Sequence, residues 1–201
     1  KEVESTSTGR QLNRILDVGC GSSYFLRLGF AREKDCWGVD LVDLGPDPQM
    51  EFRRGSFLEV DLPESFFDLI VFNDSFEHFP GSRAVLRRCR KLLRSGGVLM
   101  INMPDPDSWV ARISRTSWIS FKREHLVLYP RAGGRRLFEE CSFRQLRRFA
   151  SWQAVDWPYL EPRLSRASPF LTVLAGALLK CVPGQWFWVP TSGSIWILEA
   201  T

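Results

Sequence analysis

Leu16-Asp17-Val18-Gly19-Cys20-Gly21 constrains this chain more than any other stretch. The apolar run that starts at Asn13, with Ile15 and Leu16 at its centre, carries Asp17 near its end and is followed by glycines at alternate positions. Ser22-Ser23-Tyr24-Phe25-Leu26 then reads as the opening of a helix. A strand, a tight turn and a helix N-terminus let backbone come close to a bound ligand, because glycine has no Cβ and the first helical amides are free to donate. About twenty residues on, the spacing expected in a nucleotide-binding unit, Gly38-Val39-Asp40 ends a second apolar run in an acid. Together the two stretches point to a ligand that contains a nucleoside.

The rest of the chain supplies a matching frame. Strand patterns fall at Arg14–Val18, Cys36–Asp40, Met50–Arg53, Phe67–Asn73 and Val98–Met103. Runs such as Asp68-Leu69-Ile70-Val71-Phe72 suit strands buried on both faces of a parallel sheet. Helix patterns lie between them. In Ser82–Leu93 the residues Val85, Leu86, Cys89, Leu92 and Leu93 recur at helical spacing, and Gly96-Gly97 is the expected stop. Its arginines and lysine then fall largely on the outer face, which reads as a solvated surface. Beyond Met103 the pattern loosens. Pro104-Asp105-Pro106-Asp107 reads as a turn before a short helix at Ser108–Arg115, Leu137–Cys141 as helical, and Phe143–Phe149 and Ser194–Ala200 as strands. This alternation predicts a doubly wound α/β sheet, with right-handed crossovers and ligands at the carboxyl ends of the strands.

A length of 201 residues suits one domain, residues 1–201, with substrate-side insertions at 105–136 and 156–190. The absence of an initiator Met suggests a truncated N-terminus. The five cysteines are widely spaced and form no Cys-x-x-Cys pair, which suits a reduced, cytoplasmic setting better than a disulfide or zinc framework. A net charge of +4 permits contact with nucleic acid without demanding it. Phe170 to Leu179 is the longest apolar run, about half of the ~20 residues that cross a bilayer. It reads as a buried or interfacial helix, which leaves peripheral membrane contact open.

In a doubly wound sheet the ends of the first, second and fourth strands meet at one crevice. Here they deliver Asp17 with Gly19, Cys20 and Gly21, then Asp40 with Leu41 beside it, then Asn73-Asp74. A carboxylate at Asp40 can accept both hydroxyls of a ribose. Dinucleotide sites use the same acid, so the loop must decide. It lacks the third glycine of Gly-x-Gly-x-x-Gly, and Asp17 at its base would repel a pyrophosphate. An acid there suits a cationic ligand, and S-adenosylmethionine, with an ammonium, a sulfonium and a ribose diol, meets the description.

Four blocks in order carry a family likeness: LDVGCG, GVD, FDLIVFNDSFEH and LRRCRKLLRSGGVLMINMPDPDSW. Across roughly Asn13 to Phe143 the chain resembles class I S-adenosylmethionine-dependent methyltransferases, and within them the small-molecule branch that includes the ubiquinone-biosynthesis O-methyltransferases. The resemblance implies a Rossmann-like, doubly wound, seven-stranded and mostly parallel sheet with an antiparallel C-terminal strand. It places Asp17 and Gly19 to Gly21 at the methionine end of the cofactor, Asp40 at the ribose, Ser56 and Phe57 beside the adenine, and Asn73 near the sulfur. Two positions depart from the family's habit: Ser23 stands where a third glycine is common, and Ser56 where an acid is common.

Asp74-x-x-Glu77-His78 is similar to an acidic set associated with a divalent metal in the ubiquinone O-methyltransferases, which makes Asp74, Glu77 and His78 candidate ligands of Mg²⁺. The plainer alternative is that Glu77-His78 only braces its loop. His125, in the region that roofs the acceptor pocket of similar proteins, is a candidate general base together with His78, since imidazole titrates near neutrality. Against that, His125 could simply pack before Leu126-Val127-Leu128. Trp109, Trp118, Trp152 and Trp157 are aromatic residues that could line the acceptor pocket or fill the core. The reading that follows is methyl transfer to an oxygen, nitrogen or carbon atom of a small molecule. Other readings are a lipid or membrane-associated acceptor, an RNA or protein acceptor, and a non-catalytic binding module. Asn73-Asp74-Ser75-Phe76 lacks the Asn/Asp-Pro-Pro-aromatic grip of base methylators, which argues against nucleic acid.

Overall fold

The computed structural model describes residues 12–23, 27, 34–43, 45, 49–155 and 187–201. Expectations for Tyr24–Leu26, Trp157, Phe170–Leu179 and the 156–190 insertion fall wholly or mainly outside them. Seven strands form one sheet in the order β3-β2-β1-β4-β5-β7-β6. They are β1 (Arg14–Val18), β2 (Asp35–Asp40), β3 (Glu51–Arg54), β4 (Phe67–Asn73), β5 (Leu93–Pro104), β6 (Phe143–Val155) and β7 (Phe187–Ala200). The first five pair in parallel, and β7 runs antiparallel against β5, with Ile101 opposite Trp196. The doubly wound sheet with an antiparallel C-terminal strand is therefore what the chain forms. Chain contacts cluster into two compact units, Lys1–Phe149 with Ser192–Thr201, and Ala150–Thr191. Within the second, the Thr191 hydroxyl donates to the Ser151 carbonyl at 3.0 Å.

Side chains that alternate along a strand fill opposite faces. One face carries Leu16, Val18, Ile70, Phe72, Leu99 and Ile101, packed with Val85, Leu86, Cys89 and Leu92 of helix α1 (Ser82–Leu92) and with Leu137 and Phe138. The other carries Ile15, Leu69, Val71, Val98, Met100 and Ile197. Six of the seven residues of β4 are buried, as its unbroken apolar run requires. Asp68, at its start, accepts from the Asn13 and Arg14 amides at 2.8 and 2.9 Å and pairs with Arg94, so one buried carboxylate fixes β1 against β4.

Several element bounds differ from the sequence pattern, among them the start of β5, the end of β6 (Val155 against Phe149) and the start of β7 (Phe187 against Ser194). Helix α1 ends at Leu92, before the expected Gly96-Gly97 stop, because Leu93 is already extended and opens β5. Gly96, at φ 68°, lies inside that strand where the register with β4 slips, so it serves a bulge. Helix α2 (Trp109–Ser114) is capped by Ser108, whose Oγ accepts from the Ala111 amide at 3.2 Å. Helix α3 (Arg131–Glu140) starts six residues before the expected Leu137, and its first turns hold Gly133 and Gly134, which hide it from periodicity. Cys20, Cys36, Cys89 and Cys141 are buried.

Candidate active site

The strand order brings β1, β2 and β4 side by side, so their carboxyl ends open on one crevice. The turn after β1 is held from two sides. The Gly19 and Cys20 amides donate to the Val39 carbonyl at 2.8 and 3.3 Å, and the Gly21 amide donates to Asp40 Oδ2 at 2.9 Å. Asp40 Oδ1 accepts from the Val42 amide at 3.0 Å. One carboxylate thus ties the ends of β1 and β2 together. Leu41 and Val42, beside it, are exposed apolar side chains, suited to lie against a nucleoside.

Gly19 sits at φ 74° and Gly21 at φ 52°, in the left-handed region where a Cβ is strained. At Gly19 space forbids it as well, since a Cβ there would stand 2.6 Å from the Ser75 Cβ. Ser23 is also left-handed, at φ 62°, and fully buried. The position where the family often has glycine keeps the glycine conformation here, with a serine in it. The Cys20 thiol is buried, with its pKa raised by that burial to about 12, and the Cys20 carbonyl accepts from the Ser23 amide at 2.8 Å.

Asp17 is 2% exposed, and burial, helped by the charge of Asp40, raises its pKa from 3.8 to about 7. A carboxyl so placed gains from a cation brought beside it.

The end of β4 forms the other wall. Asn102 Nδ2 donates to Asn73 Oδ1 at 3.0 Å and to Asp74 Oδ1 at 3.3 Å, while the buried Asn102 Oδ1 has no partner among the described residues. Burial raises the Asp74 pKa, against the pull of His125 and His78. The Ser75 hydroxyl donates to the Val18 carbonyl at 2.6 Å. Ser56 opens a turn, accepting at its carbonyl from the Glu59 and Val60 amides at 2.9 and 3.0 Å. Phe57 is a core residue, its ring edge-on to Phe72 and Phe79 with centroids 5.7 and 6.2 Å away. Its ring is therefore spent on core packing.

A short 3-10 turn, Phe76–His78, sets Glu77 and His78 against the segment carrying His125. The Leu126 and Val127 amides donate to the Glu77 carbonyl at 2.9 and 3.2 Å. The two imidazoles lie edge to face, 5.0 Å between centroids. His78 Nδ1 is 2.7 Å from the Glu124 carbonyl, and His125 Nδ1 is 2.7 Å from the Ser120 carbonyl. A carbonyl can only accept, so Nδ1 of each ring carries the proton and Nε2 of a neutral ring keeps its lone pair. His125 Nε2 is 3.9 Å from Glu77 Oε1. Glu77 is 1% exposed, its Oε2 has no partner among the described residues, and burial raises its pKa from 4.5 to about 7.

Ligand atoms of Glu77, His78 and His125 lie within 4.8 Å of one another. Among the described residues the group takes in His125 in place of the expected Asp74. One carboxylate and two imidazole nitrogens do not fit Mg²⁺, which takes oxygen ligands in octahedral geometry.

Sequence reasoning passed over Ser75 and Asn102. Asn102 had a signal, being the one polar side chain in the apolar run Val98–Met103, whereas Ser75 had none.

A family model described as "Methyltransferase domain" matches residues 2–148. A 2-methyl-6-phytyl-1,4-hydroquinone methyltransferase of Oryza sativa is 29% identical over 135 residues, covering 60% of this chain and 38% of that protein. A ubiquinone biosynthesis O-methyltransferase of Xanthomonas campestris is 32% identical over 108 residues, covering 44% and 42%. The chain spans less than half the length of these curated relatives. Among solved structures, a SAM-dependent methyltransferase of Archaeoglobus fulgidus superposes with a TM-score of 0.63 at 17% identity, covering 93% of this chain and 86% of that one. One from Methanosarcina mazei gives 0.61 at 15%, covering 95% and 94%. These two likenesses speak for the fold.

Proposed function

This chain belongs to the methyltransferase-domain family, and from that premise we propose that it moves the methyl group of S-adenosylmethionine to an atom of a small molecule. The observation that carries the reading is Asp17, buried under a glycine turn that Asp40 ties down at 2.9 Å. The ammonium of the cofactor gives the buried Asp17 a cationic partner. The ribose diol takes Asp40, and Asn73 lies toward the sulfonium. A dinucleotide would set its pyrophosphate over the same carboxylate, which is repulsive.

Methyl transfer from a sulfonium is an in-line displacement. The acceptor's lone pair forms the new bond to carbon as the carbon–sulfur bond breaks, and S-adenosylhomocysteine leaves. The protein's task is alignment and exclusion of water. Two relatives are named for a phytyl hydroquinone and for ubiquinone biosynthesis, which favours a phenol or hydroquinone as the acceptor and oxygen as the first atom to test, with nitrogen and carbon behind it. The phenolic proton then passes to His125 Nε2, the ring atom left free by the Ser120 carbonyl. The hydroquinone relative bears a phytyl tail in its name, so a lipid-soluble acceptor is the second reading.

Calorimetric titration tests the core of this. S-adenosylmethionine and S-adenosylhomocysteine should bind and NAD should not; a silent cell with both sulfur nucleosides overturns it. Incubation with radiolabelled cofactor and a panel of phenols, hydroquinones and amines then identifies the acceptor.

A further inference from the structure

With both faces of the sheet filled, large apolar side chains left outside need an explanation. Trp109, Ile113, Ile119 and Phe121 are 64%, 74%, 63% and 67% exposed. They fall in one stretch of chain, from α2 to the loop that leads to His125. Trp109 and Ile113, four residues apart, share a face of α2. The stretch is anchored at both ends. Ala111 and Trp118 are buried, Ser108 caps α2, and beyond the stretch the Leu126 and Val127 amides are bound to the Glu77 carbonyl. Backbone anchored at both ends therefore presents these four side chains to solvent.

Charge says what the surface fits. Arg112, Arg115, Lys122 and Arg123 are exposed between and beside the apolar residues, against one acid, Glu124, in the same stretch. Glu124 lies 4.0 Å from Lys122, and Asp107, just before α2, lies 3.9 Å from Arg112. Arg115 and Arg123 have no ion-pair partner among the described residues. A protein partner buries apolar surface equally well, but it gains nothing from four cations unless it is acidic. An anionic bilayer satisfies both halves, taking Trp, Phe and Ile into the headgroup boundary and drawing Arg and Lys to the lipid phosphates.

We propose that Trp109, Ile113, Ile119 and Phe121, framed by Arg112, Arg115, Lys122 and Arg123, form a docking surface for an anionic lipid membrane. The surface meets the bilayer from one side; no helix of the described residues is long and apolar enough to cross. The proposal stands without the methyltransferase reading. Where that reading also holds, the surface opens the His125 wall of the site toward the bilayer, where lipid-soluble acceptors reside.

Flotation of the full chain, without cofactor, on phosphatidylcholine vesicles with and without a third of the lipid replaced by phosphatidylglycerol tests it. The chain should float with the anionic vesicles and remain below with the neutral ones. Trp109→Ser with Ile113→Ser, both at exposed positions, should cut the bound fraction about tenfold or more. Arg115→Gln with Arg123→Gln should do the same, as should molar salt. Circular dichroism of each variant checks that it is folded. Absence of flotation on anionic vesicles overturns the proposal, and so does binding that both variant pairs leave unchanged. Light scattering that shows a dimer broken by Trp109→Ser overturns it too, by giving the surface to a second copy.

Discussion

The Asp40 carboxylate accepts the Gly21 amide at 2.9 Å, so the end of β2 holds the turn that follows β1. The same side chain takes the Val42 amide at 3.0 Å. Asp40→Ala should therefore loosen the turn and remove the ribose acceptor together. S-adenosylhomocysteine binding should weaken by about 1.5–3 kcal/mol, the scale of a lost charge-assisted hydrogen bond. An unchanged dissociation constant by calorimetry removes Asp40 from the site.

Gly19 is packed against Ser75 from a left-handed backbone. Gly19→Ala should destabilise the fold by about 2–4 kcal/mol, one part from the backbone conformation and one from the clash. Ser75→Gly relieves the clash but also loses the hydroxyl that donates to the Val18 carbonyl, so urea unfolding should show Gly19→Ala costing less in a Ser75→Gly background than in the parent protein. A Gly19→Ala variant as stable as the parent contradicts the geometry.

Burial raises Asp17 from 3.8 and Glu77 from 4.5 to about 7 each. A carboxyl with a higher pKa when folded keeps a proton that the unfolded chain has released. Stability of the free protein should then fall between about pH 4 and pH 7 through these two groups and level off above. Asp17→Asn should flatten that slope by about 1.4 kcal/mol per pH unit in urea titrations. Cofactor binding runs the other way. The ammonium needs the ionised carboxylate, so affinity for S-adenosylhomocysteine should rise toward pH 7 by about tenfold per unit and then hold. An affinity independent of pH from 5 to 8 would falsify the pairing of Asp17 with the ammonium.

His125 Nε2 is left as a free lone pair, 3.9 Å from Glu77. Once an acceptor is found, His125→Gln should lower turnover about 10²–10⁴-fold, the range for a general base, with cofactor affinity retained. An acceptor that reacts as its anion should show a smaller loss, and that loss should shrink further as pH rises. Mg²⁺ should leave the thermal midpoint of the protein unchanged, because two imidazoles and one carboxylate are a poor oxygen cage. A Mg²⁺-dependent shift that His78→Ala removes contradicts the expectation.

Sequence alone determined the sheet and its crevice. Apolar runs of strand length, separated by helical periodicity, leave few topologies open, and β1, β2 and β4 came within a residue or two of their observed bounds. Asp17, Gly19, Gly21 and Asp40 were legible because backbone conformation and charge restrict residue choice at those positions. What lay beyond local pattern needed the tertiary structure. Only the fold could bring His125 to Glu77 and His78, set Ser75 against Gly19, and turn Phe57 and Cys20 inward. Each of those depends on which loops face one another across the strand ends, and the separation between His78 and His125 in the chain carries no trace of that contact. The apolar side chains from Trp109 to Phe121 make the same point. Their composition suits a core, and only the packed sheet, already filled on both faces, left them outside.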